Sequence, residues 1–126
     1  GLGSVIESPC GRDWKLPAID WGDQDLALAL HKIRKKRIPD LVVFGHMHHQ
    51  MKRSNSFRKT FIKDSWGTCY LNAASVPRVG IDSNGHKLYH LSWVEFKNNK
   101  LNFISHRWFK SDASVAYEEI LYTRNG

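Results

Sequence analysis

Apolar residues recur along the chain with two different periods. Leu26, Leu30, Ile33 and Arg37 follow i, i+4, i+7 and i+11 with Ala29 on the same side, so the spacing predicts an amphipathic helix over residues 23–37. Asp23 and Asp25 stand at its start and a run of cations at its end, as the helix dipole prefers, and Pro39 stops it. Leu41-Val42-Val43-Phe44 is a short unbroken apolar run with β-branched residues, which predicts a strand buried on both faces and ended by Gly45. Residues 60–63 and 68–72, separated by Asp64-Ser65-Trp66-Gly67, read as a hairpin. A turn segment containing Pro77 covers 73–80. Strands follow over 87–97 and 100–109, joined at Asn98-Asn99. Residues 114–121 read as a short terminal helix, and residues 1–22, with four Gly, two Pro and two Trp, as a long irregular segment. The pattern as a whole predicts an α/β fold that is β-rich toward its C-terminal side.

Composition narrows the class without naming a function. The chain has 126 residues, 41% of them hydrophobic, enough for one domain with a useful core. The longest apolar run, Leu26 to Leu30, is far short of the roughly 20 residues that cross a bilayer, so no membrane span is expected. Cys10 and Cys69 are isolated thiols, too few for a disulfide framework, and imply an intracellular setting. The net charge is +7 and unevenly spread: residues 26–63 hold ten Lys or Arg against the single acid Asp40. Patches at 32–37 and 52–63 can attract nucleic acid or phosphorylated substrates. For 32–37 a solvated helix end explains the charge equally well.

The residues able to do chemistry are His46, His48 and His49. They follow the apolar strand at its carboxyl end, where α/β folds place ligands. In an extended chain His46 and His48 share a side, and neutral imidazoles suit Zn, Mn or Fe. Arg78, just past the turn after Asn72, can meet a phosphate bidentately, although a solvent-facing arginine explains it equally well. Trp14, Trp21 and Trp66 are read as core anchors in preference to a substrate cleft.

Phe44-Gly45-His46-Met47-His48 resembles the Gly-His-x-His motif of the calcineurin-like metallophosphoesterases. Cys69 to Arg78 resembles the strand and turn, usually Asn-Pro-Gly-Ser, that come next in that family, with Ala73-Ala74 standing in place of Pro-Gly. Together with Asp20-Trp21-Gly22-Asp23, these motifs look like a branch found in cyanobacteria and plants. The resemblance implies a four-layer α/β/β/α sandwich with two divalent metal ions (Mn, Fe, Zn or Mg). His46 would ligate the second ion and His48 the first, while His49 has no general role in the family. Apart from the resemblance, Arg78 and His49 are candidate substrate-binding residues. A chloroplast location is implied by the resemblance alone.

Two imidazoles cannot hold two metals. The family's Asp-x-His, Gly-Asp-x-x-Asp, Gly-Asn-His-Asp/Glu and further His are not found in this sequence. Gly22-Asp23-Gln24-Asp25-Leu26 has Leu26 where the second Asp would stand, and Asn84-Gly85-His86 reads as a turn. The expectation is therefore the C-terminal half of a phosphoesterase domain. Its remaining ligands would lie upstream of Gly1, and the 126-residue chain by itself would be inactive. Two rivals remain: a basic nucleic-acid-binding module, which lacks any recognisable binding motif, and a catalytically inactive phosphoesterase-fold domain.

Overall fold

The computed structural model describes residues 8, 24–45, 48–50 and 57–125, which hold one helix and seven strands. The irregular segment expected over 1–22, with Trp14 and Trp21, lies outside the described residues apart from residue 8. The chain divides into two compact units, Gly1–Ala74 and Ser75–Gly126. Mixed, strand-rich sheets with a single helix agree with the α/β, β-rich expectation at that level. No helix among the described residues is long and apolar enough to cross a membrane.

In the first unit, α1 (Asp25–Arg34) is shorter than the periodicity predicts. Gln24 takes the N-cap position without a side-chain hydrogen bond. At the other end the backbone tightens: Lys35 and Lys36 N–H bond three residues back, and Arg37 N–H shares the Ile33 carbonyl. Ile38 precedes Pro39 and is thereby disfavoured in helical geometry, which accounts for the early stop.

The chain then enters β1 (Leu41–Phe44), the edge of a three-stranded sheet in the order β1-β3-β2. β2 (Phe61–Lys63) and β3 (Cys69–Asn72) form the expected hairpin, with Gly67 at φ +89° in its turn. β3 also runs parallel to β1, with Leu41 opposite Cys69 and Phe44 opposite Asn72. The expectation that residues 41–44 are buried on both faces is corrected. Val43 is 55% exposed, so its face of β1 is left uncovered by the described residues, and β1 pairs among them with β3 alone. The strand covered on both faces is β3, whose four residues are each at most 4% exposed.

The second unit is an antiparallel meander of β4 (Val79–Ile81), β5 (Lys87–Lys97), β6 (Lys100–Phe109) and β7 (Val115–Thr123). β5 and β6 match the expected bounds, and Asn98 and Asn99 both take left-handed φ values (51° and 58°), as a two-residue hairpin turn demands. At the Asn84-Gly85 turn, Asp82 Oδ1 accepts the N–H groups of Asn84 and His86. Within the segment expected as turn, the Val76–Pro77 peptide is cis and Val79 already begins β4.

The helix expected over 114–121 is instead most of β7. The segment is rich in Val, Tyr and Ile, and the hydrogen-bonding edge of β6 outweighs the helix propensity of its Ala, Glu and Leu residues. Arg107 on β6 bridges to Glu118 on β7 at 2.7 Å, with its guanidinium 4.5 Å from the Trp93 ring centroid.

Candidate functional site

The parallel pairing of β1 and β3 brings their carboxyl ends side by side, so the loops that follow them meet. Ala73 N–H donates to the Phe44 carbonyl (2.9 Å), and His49 N–H donates to the Ala74 carbonyl (3.2 Å). The His49 ring adds a third link, its Nε2–H donating to the Asn72 carbonyl at 3.0 Å. Asn72 is fully buried, and its Oδ1 accepts the Ala74 N–H at 3.0 Å, which shapes the turn that the Ala73-Ala74 pair enters. Phe44 and His49 are thus tied to Asn72, Ala73 and Ala74, far away in sequence, at one end of the sheet.

A third stretch closes the arrangement. Gln50 and Phe57 form an antiparallel bridge at the base of the basic loop, and this brings Arg58 back alongside the histidines. Arg58 N–H donates to the His49 carbonyl (2.7 Å), and its Nε–H donates to the His48 carbonyl (3.2 Å). Arg58 is only 7% exposed. Asn72 N–H reaches the Thr60 carbonyl (2.8 Å), extending the β2–β3 pairing to the same end.

The predicted site residues fall into three groups. His46 lies outside the described residues, as do Met47, Lys52 and Arg53. His48 is exposed, with its backbone tied by Arg58; His49 is half-buried and uses its ring to hold Asn72. Arg78 is an exposed residue of the second unit whose carbonyl accepts the His90 N–H at 2.8 Å. A Cβ placed on Gly45 would meet nothing within 4 Å, so crowding does not explain the glycine, and the space beside it is open among the described atoms.

Among the described residues no group of three His, Cys, Asp or Glu side chains is placed to hold a metal ion. Imidazole is a suitable ligand, but a dinuclear centre also requires bridging or terminal carboxylates, which the described part of this end of the sheet does not supply. The donor set therefore fits part of a metal shell and not the whole of one.

The opposite end of the sheet carries a different cluster. Arg34 Nη2 donates to Asp64 Oδ2 (2.6 Å) and to the Tyr70 hydroxyl (2.5 Å), and Tyr70 donates to the same Asp64 oxygen at 2.9 Å. Asp64 Oδ1 accepts Trp66 N–H and Thr68 N–H. Burial, then the hydrogen bond to Asp64, pushes the Tyr70 phenol above its usual range, and burial pushes the Cys69 thiol up. Trp66, expected as a core anchor, is exposed on this turn with the Arg34 guanidinium 5.8 Å from its ring centroid.

The position of Asn72 two residues before Ala74 is a readable turn signal, whereas nothing in the sequence singles Arg58 out from its basic neighbours. In comparisons with family models, curated proteins and solved structures, the chain matches none.

Proposed function

We propose that this chain contributes the Gly-His-x-His histidines, His46 and His48, to a dinuclear metal centre that hydrolyses phosphoesters. The observation that carries the reading is the set of hydrogen bonds that ties Phe44 and His49 to Asn72, Ala73 and Ala74 at the carboxyl ends of two parallel strands. Phe44 and His48 to His49, and Asn72 to Ala74, belong to or adjoin the two stretches that carry the family resemblance, which supports the reading. In this reading the chain is the β-rich C-terminal part of a four-layer α/β/β/α sandwich, and the carboxylate ligands come from chain outside this sequence. Divalent ions (Mn, Fe, Zn or Mg) would lower the pKa of a bridging water and hold the phosphate oxygens. His46 and His48 each offer one imidazole, while His49 braces the loop through Asn72.

The nucleic-acid reading draws less support from the 32–37 patch. There Arg34 is engaged by Asp64 and Tyr70, and Arg37 lies 3.9 Å from Asp40. The test is elemental analysis of the longer natural protein, joined to turnover of an aryl phosphate with added Mn, Zn or Mg. His46→Ala and His48→Ala should each lose bound metal and nearly all turnover, and His49→Ala much less of either. Full metal content and activity in His48→Ala would sink the reading.

A further inference from the structure

We infer that Arg58 is a positioning residue that fixes the backbone of the His48–His49 loop and so presets the direction of the His48 imidazole. For its functional consequence the inference rests on the metal-centre reading above. An arginine that is 7% exposed as a residue has given up most of its hydration, and such a side chain is tolerated where hydrogen bonds replace the lost water. What it meets here is the main chain of the histidine motif. Its Nε–H reaches the His48 carbonyl, and its own backbone N–H reaches the His49 carbonyl.

The two bonds act on successive peptide groups. His49 is held on its other side by its N–H to Ala74 and its ring to Asn72. The peptide that joins His48 to His49 is thereby restrained before any ligand arrives. A ligating side chain on a restrained backbone loses less freedom when it binds, so metal affinity depends on the brace as well as on the imidazole. Lysine cannot replace the brace, because it has no donor at the Nε position of the planar fork.

The experiment uses the longer natural protein with Arg58→Met, Arg58→Lys and His48→Ala. Amide hydrogen exchange at His49 and the affinity for Zn or Mn are measured, with thermal melts to confirm folding. Both Arg58 variants should lose protection at His49 and bind metal about tenfold or more weakly. If Arg58→Met does not fold, Arg58→Lys, which keeps the charge and most of the stem, carries the test. Unchanged His49 exchange in the folded variant overturns the inference. So does unchanged metal affinity when His48→Ala has lost it, because the role of Arg58 would then be structural only. Wild-type metal affinity in His48→Ala overturns the metal-centre reading instead, and the exchange result alone then decides whether Arg58 orders the loop.

Discussion

The two ends of the first sheet are held by opposite means. At the carboxyl ends of β1 and β3 most of the described links end on backbone carbonyls, those of Phe44, His48, His49, Thr60, Asn72 and Ala74, with the Asn72 side-chain oxygen as a further acceptor. At the other end Asp64 gathers four donors: Arg34, Tyr70, and the N–H groups of Trp66 and Thr68. Carbonyl links fix where the chain goes and leave side chains such as His48 exposed. A carboxylate that satisfies a cation and three other donors ties a helix to a turn and leaves its own charge neutralised. The first arrangement suits a site, and the second suits an anchor.

If that division holds, the largest effect on stability should come from Asp64→Ala. It strands a half-buried guanidinium and removes the acceptor of two N–H groups, and should cost about 2–4 kcal/mol in urea unfolding. His49 exchange should not change. Combined with Arg58→Met, the two losses should add to within about 0.5 kcal/mol, because the hydrogen bonds of Asp64 and those of the Arg58 side chain to His48 involve different residues. A coupling of about 1 kcal/mol or more would break the comparison.

Tyr70→Phe should cost about 1 kcal/mol and also alter the alkaline limb. The folded protein holds the Tyr70 proton above the ordinary range, so the unfolded chain ionises first as pH rises. The contribution is intact below about pH 10 and is lost as pH climbs from there through the folded value. Cys69, raised in the same direction, begins a similar loss near its ordinary value of about 9. Unfolding free energies measured between pH 8 and 11 should fall less steeply for Tyr70→Phe than for the wild type. Identical slopes would assign the alkaline loss to Cys69 or other groups.

The smallest effect should come from Arg37→Ala. Its partner Asp40 is 3.9 Å away and both side chains are well exposed, so stability should change by less than about 0.5 kcal/mol.

The sequence was most legible where local pattern and final environment agree. The strands over 87–97 and 100–109 are legible around Asn98-Asn99, because the turn needs residues that accept positive φ. Residues 41–44 gave the right strand but the wrong burial: an apolar run records preference for a core, not which strand wins the central place. Over 114–121 the sequence predicts a helix because Ala116, Glu118, Glu119 and Leu121 are compatible with one, and the open edge of β6 decides otherwise. At the candidate site the histidines were visible as chemistry. Arg58 was not, since its role arises from the Gln50–Phe57 bridge that returns the chain.

The topology also sets an order in time. The β5–β6 ladder can zip outward from the two residues Asn98 and Asn99, needing almost no loop closure, and β7 adds to it through another short turn. β1 and β3 can pair only after residues 45–68 have been gathered, and the closure entropy of that stretch comes before any reward. The histidine loop therefore takes shape late, when β3 arrives beside β1. In refolding of the whole chain, the pairing that joins the carboxyl ends of β1 and β3 should therefore form more slowly than the β5–β6 hairpin.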